Sequence, residues 1–255
     1  MTFEALQEFM EAKAGQYQRP EFLEADPIQI PHRFSRREDI EIAGFLTATI
    51  AWGNRKSIIR SAQRMLEYLE HTPFDFVMQA GPEDLARVEP FVHRTFNGLD
   101  FKTFLIALRH LYREYGGMEP LFARYAADGS LQPAISRVRE HFFEVPHQAR
   151  TGRHFSNPEK GSAAKRINMF LRWMVRPADA GVDFGLWTQL NPSQLSCPLD
   201  VHSGKVARAL GLLRRKQNDA KALQELDAAL RKLDPKDPVK YDFALFGLGA
   251  FEQFG

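Results

Sequence analysis

Two residues of this chain are suited to covalent chemistry, and they lie 35 positions apart in the sequence. Lys165 follows a Gly161-Ser162 turn and is predicted to lie in the first turn of a helix. Asp200 directly precedes another predicted helix, where free backbone N–H groups and the helix dipole favour an ionised carboxylate. A lysine amine can act as a nucleophile, and a carboxylate can assist it. The pair is therefore suited to covalent chemistry on a sugar carbon.

Each of these residues also has a plainer interpretation. Lys165 taken alone is more often a solvated helix lysine, and Asp200 taken alone is more often only an N-cap. The lysine must also lose its proton before it can react, which requires desolvation or crowding by a cation such as Arg166. The functional hypothesis therefore depends on the two side chains meeting at one site.

Positive charge is concentrated around the same two residues. The whole chain has 34 Lys and Arg against 32 Asp and Glu, which gives a net charge of +2. Residues 150–176, however, hold seven cations and one acid, and residues 201–216 add five cations and no acid. This concentration favours a phosphate-rich partner, although two ordinary solvated helix faces would give the same pattern.

Length and composition exclude several classes of protein. The 255 residues, 44% of them hydrophobic, can bury one large core or two lobes that share a cleft. Cys197 is the single cysteine, which excludes an internal disulfide and a four-cysteine zinc or iron–sulfur site. No apolar run has the length of a membrane span, and the first residues lack the pattern of a signal peptide. We expect a cytoplasmic monomer with no membrane association, no metal and no cofactor.

The spacing of apolar residues predicts an all-α protein. Ser35 to Glu38 fits a capping box before an almost entirely apolar helix, and Asp100 is predicted to cap a long helix that stops at Gly116. No segment shows the alternation expected of a β-strand. The predicted helices lie near 3–15, 35–51, 57–69, 74–79, 82–88, 101–115, 119–127, 131–143, 162–175, 201–208, 218–232 and 239–251.

These helices are expected to form one unit, residues 1–255, of two interleaved helical lobes around a central cleft. The first lobe is mainly residues 36–143. The second, residues 158–251, contains a hairpin-like motif, the helix that follows Asp200 and the closing helices. In this arrangement the remaining chain is the scaffold that brings Lys165 and Asp200 together.

Two segments resemble the helix-hairpin-helix DNA glycosylases. Pro198-Leu199-Asp200-Val201-His202-Ser203-Gly204-Lys205-Val206-Ala207-Arg208 resembles the V-D-T-H-x-x-R-V signature of the endonuclease III type. Ile42 to Ala51 and the helix through Leu69 resemble its early L-L-S-A-Q helix pair, and the order of elements agrees across about residues 36–251.

The hairpin departs from the endonuclease III pattern. L-P-G-V-G-x-K-T-A is replaced by Asn157 to Lys165, which contains one glycine. This hairpin and the longer lysine-to-aspartate spacing are closer to the archaeal 8-oxoguanine glycosylases. The chain also resembles a bacterial family of about this length that is known only as uncharacterised.

The resemblance implies a function and assigns roles to the pair. Lys165 would attack the anomeric carbon of a deoxyribose and form a Schiff base, while Asp200 would stabilise positive charge on the sugar. The protein would then be a DNA glycosylase with AP lyase activity in base-excision repair, removing an oxidised purine such as 8-oxoguanine from duplex DNA. Two alternatives stay open: a catalytically inactive nucleic-acid-binding module of the same fold, and an unrelated all-α protein–protein scaffold.

A nucleotide attacked in this way must leave the duplex, so it needs stacking partners and phosphate contacts. Trp52 could equally be a residue at the edge of the core, and His202 a packed or hydrogen-bonded one. A glycine turn before a helix can also present free amides to a phosphate. The predicted substrate-binding residues are Trp52, Asn54, His202, Trp173, Trp187 and Phe246, and the predicted phosphate-binding residues are Lys160, Gly161, Ser162, Arg153, Arg166, Lys205 and Arg208.

Overall fold

The computed structural model describes residues 1–254, most of which are helical. The prediction of an all-α protein is confirmed. The helices are α1 (Phe3–Tyr17), α2 (Arg37–Thr49), α3 (Arg55–Tyr68), α4 (Pro73–Gln79), α5 (Pro82–Arg87), α6 (Gly98–Tyr115), α7 (Met118–Tyr125), α8 (Gln132–Phe142), α9 (Lys165–Val175), α10 (Val201–Ala209), α11 (Ala220–Leu233) and α12 (Tyr241–Ala250).

One small β-hairpin interrupts the helices. Its strands, β1 (Val92–His93) and β2 (Phe96–Asn97), pair antiparallel. The sequence analysis did not predict it, because a strand of two residues is too short to show an alternating pattern. The hairpin lies just before α6 and packs against α3, where His93 Nδ1 lies 2.8 Å from Ser61 Oγ.

Several helix boundaries differ from those predicted. The N-cap of α2 is Arg36, which makes no side-chain capping bond, so the predicted capping box that starts at Ser35 is wrong. For α6 the N-cap is Asn97, and Asp100 is the third helical residue that completes a reciprocal capping box. Helix α1 continues through Gly15 to Tyr17, since a glycine weakens a helix by only about 1 kcal/mol relative to alanine.

Buried apolar side chains form two clusters. The larger one contains most of the apolar residues of α2 to α9, centred on Phe45, whose ring contacts Phe104, Phe142, Phe155 and Phe170. The smaller one joins α1, α10, α11 and α12. The apolar residues of α9 belong to the larger cluster, although the sequence analysis assigned that helix to the second lobe, residues 158–251.

Close packing explains how α9 is held. Gly44 of α2 faces α9, where an added Cβ would lie 3.2 Å from Met174 Cε. The missing side chain therefore lets the two helices approach each other closely. Because α9 begins with Lys165, this packing fixes the position of the predicted nucleophile.

The segment between α1 and α2 forms three 3₁₀ turns, Pro20–Ala25, Pro27–Gln29 and Pro31–Arg33, where an extended connection was predicted. Phe22 in the first turn makes edge-on contacts with Phe243 and Phe246 of α12, at ring-centre distances of 5.2 and 5.7 Å. The segment therefore lies against α12. Among residues 1–254, no helix has the length and hydrophobicity needed to cross a membrane.

Candidate functional site

A cleft of about 580 Å³ opens where five segments of the chain meet. These segments are the 3₁₀ turns after α1, the loop between α2 and α3, one face of α9, the residues around the start of α10, and α12. A cleft of this size is in the range of small-molecule and nucleotide sites. Its lining residues are Phe22, Asp26, Pro27, Ala51, Trp52, Gly53, Arg55, Lys165, Arg166, Met169, Arg172, Pro198, Asp200, Val201, His202, Ser203, Asp242 and Phe246.

Lys165 and Asp200 lie next to each other in this cleft. The distance between Lys165 Nζ and Asp200 Oδ2 is 3.7 Å, and each side chain is about one-third exposed, at 31% and 29%. The structure thus brings together two residues that are far apart in the sequence. Both remain accessible to a molecule in the cleft.

Asp200 is held by its capping role. Its Oδ1 accepts hydrogen bonds from the backbone N–H groups of His202 and Ser203, at 2.9 and 3.0 Å. Its own backbone N–H donates to Ser203 Oγ at 2.9 Å, which completes a reciprocal capping box. One carboxylate oxygen therefore fixes the side chain, and the other, Oδ2, faces Lys165.

The floor of the cleft is a face of α9. Lys165, Met169 and Arg172 follow one another at spacings of four and three residues, which places them on the same side of the helix. Lys165 is the first residue of α9 and follows Ala164, which adopts a left-handed backbone conformation. The chain turns sharply at that point, and the lysine begins the helix face that lines the cleft.

Arg172 is buried below the lysine and is surrounded by carboxylates. Its Nη1 donates to Asp242 Oδ2 at 2.6 Å and its Nε donates to Asp183 Oδ1 at 3.2 Å. Burial would lower the pKa of Arg172, but the charges of Asp183 and Asp242 outweigh it and raise that pKa. Burial likewise raises the pKa of Asp242, and Arg172 opposes this rise. The floor of the cleft is thus a buried ion network.

A further carboxyl group lines the cleft from the segment that follows α1. Asp26 is almost fully buried, and its Oδ1 accepts a hydrogen bond from Ile28 N at 3.0 Å. Burial raises the pKa of Asp26, and the positive charges of Arg172, Arg55 and Lys165 partly counteract this. Asp26 therefore lies within the electrostatic reach of Lys165 from another wall of the cleft.

Trp52 and Arg166 form an aromatic and cationic wall beside the pair. The Arg166 guanidinium lies 4.8 Å from the centre of the Trp52 ring and donates to the carbonyl oxygen of Thr49. Burial lowers the pKa of Arg166 to about 10. Trp52 also packs against His93 and His154, so its half-buried ring is held on several sides.

Phe246 and Arg55 form a second aromatic and cationic pair in the cleft. The Arg55 guanidinium lies 4.3 Å from the centre of the Phe246 ring, within the range of a cation–π interaction. Phe22 contacts the same ring from the segment after α1. The cleft therefore presents three partly exposed aromatic rings, Phe22, Trp52 and Phe246, together with the amine and the carboxylates.

Comparison with known proteins places the chain in a family. The sequence pattern of one family matches residues 26–251, nearly the whole chain. The chain belongs to DUF2400, described as a protein of unknown function. The DUF2400 match begins at Asp26 and includes Lys165 and Asp200. Neither the curated proteins nor the solved structures contain a match to this chain.

Two of the predicted stacking residues of this DUF2400 member do not reach the cleft. Trp173 is 0% exposed and Trp187 is 2% exposed. Trp187 donates from Nε1 to Glu41 Oε1 at 2.6 Å and packs against Phe122 and Phe170. Neither ring can contact a bound base without unfolding of the core, so both predictions are wrong.

Of the four remaining predicted substrate-binding residues, three line the cleft and one does not. Trp52, His202 and Phe246 line the cleft. Asn54 does not, and its Oδ1 accepts a hydrogen bond from Ser57 N at 3.2 Å as the N-cap of α3. Asn54 thus serves as an ordinary capping residue of α3.

The predicted phosphate cradle at Lys160, Gly161 and Ser162 is wrong as regards its backbone amides. The N–H groups of Lys160 and Ser162 donate to the carbonyl oxygen of Asn157 at 3.1 and 3.4 Å, and that of Gly161 donates to Pro158 O at 2.8 Å. All three amides already have acceptors within the turn, so they are not free to bind a phosphate. The Lys160 side chain remains exposed.

The other predicted phosphate contacts have different surroundings. Arg208 donates from Nε to Arg215 O at 2.8 Å and from Nη2 to Asn218 Oδ1 at 2.6 Å, so it braces the loop before α11 and is not free for a phosphate. Arg153 is exposed and donates to Thr95 O at 3.4 Å. Lys205 is exposed on α10, and Arg166 faces the cleft as described above.

Sequence analysis missed four charged residues of the cleft: Asp26, Arg55, Arg172 and Asp242. A signal for Arg172 was present, since an arginine inside the apolar run of α9 at helical spacing from Lys165 is unusual for a core helix. No comparable signal marks the two aspartates, because the residues that enclose the cleft around them come from distant segments.

Proposed function

We propose that this DUF2400 protein is a DNA glycosylase with AP lyase activity that excises an oxidised purine, such as 8-oxoguanine, in base-excision repair. The observation that carries the proposal is the 3.7 Å distance between Lys165 Nζ and Asp200 Oδ2 in an accessible cleft with aromatic walls. The helix-hairpin-helix resemblance around both residues supports it. Under this proposal the protein acts as a cytoplasmic monomer with a two-lobed helix-hairpin-helix fold.

The proposed reaction begins with the neutral amine of Lys165. Its nitrogen attacks C1′ of the extruded nucleotide, and the bond from C1′ to the base breaks, so that the electron pair leaves with the base, which is then protonated. Asp200, fixed by its capping bonds, stabilises the positive charge that develops on the sugar and receives the amine proton through its free oxygen Oδ2.

Opening of the sugar ring then produces a Schiff base between Lys165 and C1′. Loss of a proton from C2′ and cleavage of the C3′–O bond by β-elimination release the 3′ phosphate, which is the AP lyase step. Lys165 thus serves as the nucleophile in the first step, and its protonated imine accepts the electron pair from C2′ in the second.

The aromatic walls provide what the extruded base needs. Removal of a base from the stack costs a few kcal/mol, which stacking and edge contacts must recover. Trp52 and Phe246 present partly exposed rings in the cleft, each next to an arginine. The carboxyl group of Asp26 and the imidazole of His202 supply polar groups for the edge of the base.

Borohydride trapping tests the proposal directly. Reduction of the Schiff base converts it into a stable secondary amine, so wild-type protein incubated with duplex oligonucleotides that carry oxidised purines should form a covalent protein–DNA adduct. Lys165→Ala should abolish the adduct because no other amine lies beside Asp200 in the cleft among the described residues. Lys232→Ala, which changes an exposed lysine of α11, is the control and should retain it.

Two results would contradict the proposal. An adduct of undiminished yield in Lys165→Ala would remove that residue from the chemistry. Binding to DNA without an adduct on any lesion of the panel would instead support a catalytically inactive binding module of the same fold.

A further inference from the structure

Helix α3 carries a row of exposed cations that leads away from the cleft. Lys56, Arg60 and Arg64 are all exposed and follow one another at intervals of four residues, so they lie on one face of the helix. At a rise of 1.5 Å per residue, the row is roughly 12 Å long. Arg55, the first residue of α3, points into the cleft at its beginning. We call Lys56, Arg60 and Arg64 the basic ridge.

The charge of the basic ridge is not neutralised within the protein. Residues 54–66 contain no Asp or Glu, and the first acid of the helix, Glu67, follows the last cation of the ridge. None of the three ridge side chains forms an ion pair with another residue of the described chain. Other exposed arginines do, such as Arg87 with Glu70 and Arg137 with Glu140. The ridge is therefore three exposed cations, unpaired within the described chain, in regular spacing on one helix face.

The β1–β2 hairpin places a further exposed cation at the rim of the cleft. Arg94 lies at its tip with an exposed side chain, and its guanidinium packs over Gly53, a lining residue of the cleft. An added Cβ at Gly53 would lie 2.4 Å from Arg94 Nη1, so the absence of a side chain at Gly53 leaves room for the guanidinium. Arg150 anchors the hairpin by donating to Thr95 O at 2.8 Å.

We propose that the basic ridge and Arg94 bind the sugar–phosphate backbone of duplex DNA that flanks the nucleotide in the cleft. This inference rests on the part of the proposed function that concerns DNA binding, and not on the part that concerns base excision. One strand of duplex DNA carries one charge per 3.4 Å along the axis, so the ridge of roughly 12 Å spans three to four phosphates of that strand. Exposed cations at regular spacing can contact such a backbone without reading sequence.

The salt dependence of binding tests this inference. The ligand is a duplex of undamaged sequence with one tetrahydrofuran abasic analogue, which cannot form a Schiff base. Replacement of Lys56, Arg60 and Arg64 together by glutamine should lower the magnitude of the slope of log K against log [salt] by about 2.7, because each lost phosphate contact removes about 0.9. The ratio of wild-type to variant affinity should therefore fall roughly 40-fold between 50 and 200 mM salt.

Two control variants separate the ridge from net charge and from folding. The triple variant Arg124→Gln, Lys232→Gln and Lys236→Gln removes the same charge from exposed positions on or after α7 and α11, and its slope should stay at the wild-type value. A charge-preserving variant, Lys56→Arg, Arg60→Lys and Arg64→Lys, should also keep the wild-type slope. Arg94→Gln alone should lower the slope by about one unit.

The outcome for the ridge can be told apart from the outcome for the enzyme. An unchanged slope in the ridge variant, or an equal loss in the α7 and α11 variant, overturns the ridge assignment even if borohydride trapping succeeds. A reduced slope in the ridge variant alone supports the assignment even if no lesion yields a covalent adduct, in which case it is the proposed excision that fails.

Discussion

Replacement of Arg172 by methionine should destabilise the protein by about 3–5 kcal/mol, because it leaves a buried charge without a partner. Arg172 is 4% exposed and bridges Asp183 and Asp242, which are 0% and 9% exposed. Asp183 retains a second cation, Arg176, whereas Arg172 is the only ion-pair partner of Asp242 among the described residues. The predicted loss therefore comes mainly from the stranded carboxylate of Asp242.

Urea unfolding at pH 7 measures this loss, and a double variant tests its cause. Arg172→Met combined with Asp242→Asn removes the stranded charge, so it should be more stable than Arg172→Met alone. Burial already raises the pKa of Asp242, and removal of Arg172 would raise that pKa further. The native state of the single variant should then bind a proton at Asp242 more tightly than the unfolded state does. Its deficit should accordingly shrink as the pH falls.

The reasoning would be refuted by a loss below about 1 kcal/mol in Arg172→Met, the value expected for an exposed ion pair. A double variant no more stable than the single one would also refute it. In either case, the ion network would not be what holds α12, and with it Phe246, against the face of α9 that carries Lys165.

Two further predictions concern stability away from the cleft. Burial raises the pKa of Asp227 to about 6, so the native state binds its proton more tightly than the unfolded state and stability falls as the pH rises from about 4 to 6. The decline in the free energy of unfolding should amount to about 3 kcal/mol, and Asp227→Asn should remove it. Urea unfolding at several pH values measures the decline, and an equal decline in the variant would contradict the prediction. Gly247→Ala would place a Cβ 2.1 Å from Tyr17 Cδ2 and should cost about 1–3 kcal/mol. The control is Gly15→Ala, whose added Cβ would have no atom within 4 Å, and it should stabilise the protein by up to about 1 kcal/mol. Thermal or urea unfolding measures both variants, and equal effects of the two changes would refute the packing argument.

Local chemistry was predictable where it depends on neighbours in the sequence. The N-cap at Asp200 and the helical character of the chain follow from patterns within a few residues, and both are present. The start of α2 was mispredicted because a Ser-x-x-Glu pattern is only one of several ways to begin a helix. The short β-hairpin left no periodic signal at all.

Side-chain direction was not predictable, because it depends on segments that are distant in the sequence. All three tryptophans were candidates for stacking, yet only Trp52 lines the cleft, whereas Trp173 and Trp187 fill the larger core cluster. The helical pattern around Trp173 shows that one face is buried, but not whether that face meets a cavity or another helix. The buried aspartates Asp26 and Asp242 were missed for the same reason.

The two interpretations of Asp200 turn out to be compatible. A capping aspartate and an aspartate that assists a nucleophile are usually weighed against each other, but a carboxylate has two oxygens. Here Oδ1 accepts the amides of His202 and Ser203, and Oδ2 lies 3.7 Å from the amine of Lys165. The cap fixes the side chain in place, which is what the proposed chemistry needs. The sequence around Asp200 is the same whether this residue only caps α10 or also belongs to a functional site. Only the position of Lys165 distinguishes the two cases, and that position depends on the packing of α9 against α2.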